Sequence, residues 1–327
     1  MNNKQSTNAR RRHASFARAT LGASVAFALA AALAACGSDN TNAVVDAPVT
    51  RAGTLTITNG DGSLASCTVN KDGTVGGCVA QIAAGLSAPG SIDAANGRFY
   101  VSNLGTHTVA ACTWPNSGTP ACTTFAGNGA LDRPMGVAVS GSYVYLANAN
   151  NTVAVCSGAD SGQLNGCKAP AANGSFNGPV GVVADAKYVY VANQQNDTVA
   201  TCSIGSDGSL SGCTTSDGGK TFNAPTGITV ANKRLFVTNT GDNSITSCAI
   251  GNDGTPGACT KTQDTANLAA PIDISVNGTT AYVTNLANNS LAACSINASG
   301  VIASCVAGSA GNTMMYPAGI IFVANAS

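Results

Sequence analysis

The sequence predicts an all-β chain: a six-bladed β-propeller of four-stranded blades, closed by pairing the C-terminal strand with the N-terminal blade. Three observations predict it. Twelve cysteines fall into six evenly spaced pairs. A short strand ending in Asn recurs with the same period. The two ends of the chain each supply part of one unit.

The pairs are Cys67 with Cys78, Cys112 with Cys122, Cys156 with Cys167, Cys202 with Cys213, Cys248 with Cys259 and Cys294 with Cys305. The offset within a pair is 11, once 10, and successive pairs are 45, 44, 46, 46 and 46 residues apart. A fixed period of this size marks a repeat architecture. Each unit opens on a Pro (Pro89, Pro134, Pro179, Pro225, Pro271, Pro317) followed by a short apolar stretch such as Gly227-Ile228-Thr229-Val230. A second strand ends in Asn, as in Tyr100-Val101-Ser102-Asn103 and Phe236-Val237-Thr238-Asn239. A polar turn, a strand with the first Cys, a Gly turn and a strand with the second Cys complete the unit. Four short strands in about 46 residues make one propeller blade.

The N-terminal unit starts at Thr54-Leu55-Thr56-Ile57-Thr58-Asn59, which aligns with a second strand, and it lacks a first. Pro317 to Val323 supplies a first strand and then the repeat stops. Joining the two closes the ring and removes the exposed edges of an open array.

The cysteine spacing has a geometric meaning. If Cys202 faces Cys213, the midpoint is Asp207-Gly208, a strong two-residue hairpin turn. The same construction gives Asp72-Gly73, Asp253-Gly254, Ser161-Gly162 and Ser299-Gly300, and the short pair centres on Asn116-Ser117-Gly118. Opposed Cα atoms lie within disulfide reach. No C-x-x-C spacing, which zinc sites and reactive dithiols favour, occurs among them. The pairs are therefore expected to be structural disulfides, which form in an oxidising compartment. A bulge in the turn would shift the pairing by one residue.

Only 9% of residues are charged and 5% aromatic, while 38 are Gly. That composition suits short strands and turns better than amphipathic helices. The chain contains no Glu: all fifteen acids are Asp. Five of the fifteen basic residues (Lys4, Arg10, Arg11, Arg12, Arg18) lie before residue 36, so the remainder carries ten against fifteen Asp, near −5. A mildly acidic body argues against a nucleic-acid partner.

Residues 1–35 read as an export signal. Arginines precede an apolar run, Leu21 to Leu33, too short to span a bilayer. The run ends in Leu33-Ala34-Ala35-Cys36-Gly37, which resembles the lipobox of bacterial lipoproteins. The resemblance implies lipidation at Cys36 and, with Gly rather than Asp after the Cys, an outer-membrane destination on the periplasmic or cell-surface side. Residues 36–52 read as a flexible tether and 53–327 as one propeller domain. Tyr282-Val283-Thr284-Asn285 and its near copies resemble the YVTN propeller repeats of exported and surface proteins. The run Tyr190 to Val199 followed by Ser206 to Leu210 is similar to lactonase-like propellers. The chain departs from both groups in carrying Cys where an apolar strand residue is usual, and lactonase-like propellers usually have seven units. Repeat-level likeness speaks to fold, not to function.

Little chemistry stands out. Beyond the signal the chain has one His, His107, in a polar turn. Asp93 and Asp273 lie in or near innermost strands, where they either face the central channel or bond to backbone. Some calcium-dependent hydrolase propellers hold a metal at the channel mouth with acidic and Asn side chains, so these two are the residues to inspect. The Asp-Gly pairs lack the ligand ladder of a calcium loop. The long segments 123–133, 168–178, 214–224, 260–270 and 306–316 are expected to gather on one face with the turns after each Asn. His107, Asp132, Arg133, Lys220, Met314 and Tyr316 are the more distinctive side chains there. The favoured reading is a monomeric, non-enzymatic binding or scaffold protein of the bacterial envelope, with no cofactor and no metal. Its partner would be an envelope protein, a glycan or a small ligand. The alternative is a lactonase-like or metal-dependent hydrolase with a site at the channel mouth.

Replacing Cys36 by Ala should abolish incorporation of labelled palmitate while leaving the chain exported. Retained label would exclude Cys36 as the anchor.

Overall fold

The computed structural model describes residues 51–113, 119–170, 174–308 and 313–325. The export signal, Cys36, most of the tether and the expected turn at 116–118 lie outside them. Within them, 24 strands form six antiparallel four-stranded sheets. Blade 1 joins the last strand, Pro317–Ala324, to the three N-terminal strands, and blades 2 to 6 follow in chain order. The inner strands of blades 2 to 6 are Pro89–Ala95, Pro134–Ser140, Pro179–Ala184, Pro225–Ala231 and Pro271–Asn277. Each inner strand packs on the next, and the circle closes through Pro317–Ala324. The closing ladder pairs Leu55 with Phe322 and Ile57 with Ile320. A six-bladed propeller is thus the observed fold.

The apolar core lies between blades. Tyr190, Ala192 and Val199 of blade 4 pack with Leu235, Val237 and Cys248 of blade 5, and Phe222 caps them. Equivalent clusters fill other seams. Alternation along each strand delivers one face to each neighbour.

All six expected cysteine pairs form disulfides, with Cα–Cα distances of 3.9 to 4.1 Å. These distances are shorter than the roughly 4.5 Å of the closer kind of opposed antiparallel pair. Four pairs are direct ladder partners: Cys67 with Cys78, Cys112 with Cys122, Cys248 with Cys259 and Cys294 with Cys305. The other two, Cys156 with Cys167 and Cys202 with Cys213, are not paired in the ladder because each lies where the register shifts, yet their Cα atoms are as close as in the other four. The two members of a pair also differ in setting. The first cysteine of every pair is fully buried. The second lies on the outermost strand and is only half-buried at Cys78, Cys122, Cys167, Cys213 and Cys259, while Cys305 is buried.

The turns differ from the two-residue expectation. In blade 4, Gly205 N–H donates to the Ser209 carbonyl, enclosing three residues that end in Gly208 with φ +77°. The register then shifts by one around the cysteines, through Gly212 with φ +58°. A three-residue loop moves the register by one and a bulge moves it back, so the cysteines still face each other. The offset-10 pair, Cys112 with Cys122, has no shift before the next partners, Thr113 and Ala121. One bulge residue accounts for the difference between 11 and 10. A side chain on Gly208 would also strike the Tyr143 ring of blade 3, 2.4 Å from a Cβ. Asp72, Asp207 and Asp253 steady these turns by accepting from the N–H and hydroxyl two residues on, which holds their carboxyls below the usual range.

The strand-end asparagines are clamps. Asn193 is fully buried. Its Nδ2 donates to the Ser175 carbonyl (2.9 Å) and to Thr198 Oγ1 (3.0 Å), and its Oδ1 accepts from Asn177 N–H (3.1 Å). One amide thus holds the loop leading into its own blade and the turn that follows it. Asn59, Asn103, Asn148, Asn239 and Asn285 repeat the pattern. A second tie runs between blades: Asn151, Asp197, Asn243 and Asn289 accept from the N–H just before the next inner-strand Pro. Lead-in loops and post-Asn turns therefore share one face, as expected, although parts of the expected loops, such as Ala121–Phe125 and Leu210–Ser216, are strand.

Asn193→Ala should destabilise the fold by about 3 kcal/mol, since it strands buried backbone partners. Asn196→Ala, in the exposed turn beside it, should change stability little. Urea denaturation with disulfides intact compares the two, and equal effects would remove the clamp reading. The chain carrying six cystines should also weigh twelve hydrogens less than its reduced form and take up no alkylating agent at those cysteines before reduction.

Candidate functional site

The six inner strands each open on Pro and carry Ile or Val at the fourth position. The second position of each faces the axis on the clamp side: Gly90, Met135, Val180, Thr226, Ile272 and Ala318. Together they form a largely apolar collar, extended by Leu104, around a cavity of about 180 Å³. The third position is Gly in four blades, because the strands crowd at the axis. A Cβ on Gly181 would come 2.0 Å from the Thr226 carbonyl oxygen. The two departures are Ser91 in blade 2 and Asp273 in blade 6, and both lie at the floor of the collar.

Asp273 is 9% exposed. Its Oδ1 accepts from Ile274 N–H (2.9 Å), and its Oδ2 accepts from Ile320 N–H (3.1 Å) and the Ser91 hydroxyl (3.3 Å). The side chain reaches over the inner strand of blade 1 to touch blade 2. Asp93 sits two residues deeper, about 7 Å further along its strand. Its Oδ2 accepts from Val139 N–H and its Oδ1 from Ala94 N–H, both at 2.7 Å. Both acids line a second, smaller cavity of about 60 Å³ below the collar. Burial pushes the Asp273 carboxyl up to about 7, against its three donors, with the nearby Asp93 charge adding to the rise. Burial likewise pushes Asp93 up to about 6. Both inspected acids thus face the channel, and both also bond to backbone. They stand on separate rings, and among the described residues no three His, Cys, Asp or Glu side chains converge as a metal's ligands would.

The rim residues sit elsewhere. His107 Nδ1 lies 3.7 Å and Arg133 Nε 3.6 Å from Asp132 Oδ1, a solvent-exposed trio at the seam of blades 2 and 3. Such exposed pairs contribute little stability. His107 has φ +55° and fills the left-handed turn position that Asn151, Asp197, Asn243 and Asn289 occupy in other blades. Lys220 is exposed in the lead-in loop of blade 5. Tyr316 is exposed, but Met314 is buried in the blade 1 core and does not belong to the surface. None of these lines the axial cavity. The collar residues Met135, Val180, Ile272 and Leu104, and the floor Ser91, are not singled out by sequence reading. Aligning the six inner strands on their Pro would have flagged Ser91 and Asp273 as the two departures.

No protein-family model matches the chain, and no curated protein matches it in sequence. Solved structures share its fold. A nidogen/laminin complex matches with a TM-score of 0.62 at 16% identity, covering 82% of this chain and 97% of that one. A putative 6-phosphogluconolactonase from Bacteroides uniformis matches with a TM-score of 0.61 at 15% identity, covering 82% and 84%. The periplasmic gluconolactonase of Pseudomonas aeruginosa matches with a TM-score of 0.56 at 18% identity, covering 85% and 86%. At these identities the likeness is one of fold.

The raised carboxyls set a pH dependence. The folded state holds protons on Asp93 and Asp273 that the unfolded chain has released, so stability falls as pH rises from about 4 and levels off above about 7. For Asp273 the loss is on the order of 4 kcal/mol. Asp72, Asp207 and Asp253 act below that window, because their carboxyls are lowered. Asp273→Gly, the residue most blades carry, should flatten the slope and stabilise the protein at pH 8. An unchanged slope in urea denaturation at pH 5, 6, 7 and 8 would exclude the buried carboxyl as its source.

Proposed function

We propose that the chain is a non-enzymatic, lipid-anchored binding protein of the bacterial envelope, and that its ligand sits in the axial mouth on the clamp face. One observation carries this reading: the collar is concave and apolar, floored by a single ionisable side chain. That combination suits binding sites, where apolar walls give affinity and few polar groups give orientation. Hydrolysis asks for more, because an acid and a base or nucleophile must reach the same bond. The two channel acids stand on different rings. Anchoring at Cys36 would hold such a receptor at the outer membrane, with the tether giving it reach.

The cavity is smaller than the roughly 300–1,000 Å³ typical for drug-sized ligands. It suits a small molecule, or one protruding group of a larger partner.

Val180→Trp should fill the collar without touching the blade cores. Native mass spectrometry after incubation with envelope extract should show a small ligand on the wild-type chain and none on Val180→Trp. His107→Ala, on the rim, should retain it. Equal retention by the filled variant would move the seat elsewhere. Turnover of gluconolactone that disappears in Asp273→Asn would replace binding by lactone hydrolysis.

A further inference from the structure

Asp273 is a carboxylate without a counter-charge. The ion pairs among the described residues are His107 and Arg133 with Asp132, and Lys261 with Asp242, and none reaches the channel. Its contacts are two backbone N–H groups and one hydroxyl. A buried carboxylate in that state weakens a fold. Glycine fits the position, as Gly136, Gly181, Gly227 and Gly319 show in the other blades. The acid therefore opposes stability where a cheaper residue is at hand. Strongly perturbed groups in clefts are enriched at functional sites.

We propose that the axial mouth binds a small organic cation, its ammonium group seated on Asp273 and its hydrocarbon body against the collar. This deepens the reading of the mouth as a ligand seat and rests on it. Four features select this class. The two acids repel carboxylates and phosphates. A hard metal ion wants roughly six to eight oxygen ligands, whereas Met135, Val180, Ile272 and Leu104 offer alkyl groups. A sugar or lactone needs several polar partners, and the side chains lining the mouth supply only Ser91, Thr226 and Asp273. An alkylammonium asks for one anion and an apolar wall, and the site offers both.

The site also couples binding to protons. The elements around Asp273 are the inner strands of blades 5, 1 and 2 and the second strand of its own blade. Among their side chains the ionisable ones are Asp93 and Tyr282, and the Tyr282 hydroxyl is engaged by the Gly73 carbonyl. An ammonium group binds the ionised carboxylate, so Asp273 must release its proton wherever it still holds one. Asp93 adds a second negative field below.

Titration calorimetry of the purified chain tests this with n-hexylamine, hexan-1-ol and hexanoate, at pH 6 and pH 8, in buffers of different ionisation heat. Hexylamine should bind at least ~30-fold more tightly than hexanol, as expected for a buried charge pair, and hexanoate should not bind. Binding should release about one proton at pH 6 and far less at pH 8. Asp273→Gly and Asp273→Asn should each lose the preference for the amine, and Val180→Trp should lose all binding. Hexanol binding as tightly as the amine, or amine binding unchanged in both Asp273 variants, overturns the cation assignment and leaves the seat. Binding of none of the three compounds, or binding indifferent to Val180→Trp, overturns the seat as well.

Discussion

The clamp face depends on six buried asparagines. Each has one acceptor and two donors within a short side chain, and each uses all of them. The acceptor takes an N–H sixteen residues back in blades 2 to 6, for example Asn177 for Asn193. One donor reaches a carbonyl two residues before that, and the other reaches a turn hydroxyl. Aspartate would lose both donors, and glutamine would overshoot. Loop backbone needs partners for its polar groups, and here one side chain supplies them. The lead-in loops can therefore differ in sequence while ending at the same place. The following Pro and the collar residue after it inherit that position.

Blade-to-blade ties then turn six similar units into one ring. A turn residue in the left-handed conformation accepts from the N–H before the next Pro, as Asp197 does from Ala224. Residues before the Pro are themselves left-handed at Ala224, Ala270 and Tyr316, a strained state for non-glycine residues. The bond from the preceding blade holds them there. Deeper in the ring, the hydroxyls of Thr58 and Ser102 donate to the carbonyls of Gly90 and Met135 in the next blade. The collar is thus fixed from behind by side chains that never touch its cavity, which is how a small apolar mouth keeps its shape.

Architecture was legible in the sequence because it repeats. The Pro, the Asn and the cysteine pair recur with one period, and the two incomplete ends could only complete each other. The turns were less legible. A two-residue turn and a three-residue turn with a compensating bulge predict the same cysteine pairing, and only the bulge geometry at positions such as Gly212 and Ala258 separates them. The role of the asparagines was hidden because their partners are backbone atoms, which a sequence does not display. His107 drew notice for its rarity, yet its backbone fills an ordinary turn position. Asp93 and Asp273 were identifiable as inner-strand acids. That they occupy different rings depends on where each falls after its Pro, the fifth position for Asp93 and the third for Asp273.

Stabilising and destabilising groups are separated radially in this ring. The cystines close small loops in the outer hairpins, and each contributes about 2–3 kcal/mol on the chain-entropy view. They act where the strands are most exposed and the packing is thinnest, as the half-buried Cys78, Cys122 and Cys167 show. The axis does the opposite: it holds two carboxyls, Asp273 buried and Asp93 half-buried, whose raised pKa values lower stability at neutral pH. An uncrosslinked ring of Ala, Gly, Ser and Thr would have little reserve to tolerate them. Crosslinks at the periphery offset the destabilisation at that centre. The cysteines, conspicuous in the sequence, mark where the chain resists unfolding. Asp273, standing where four blades carry glycine, marks where it holds a buried carboxyl with no counter-charge.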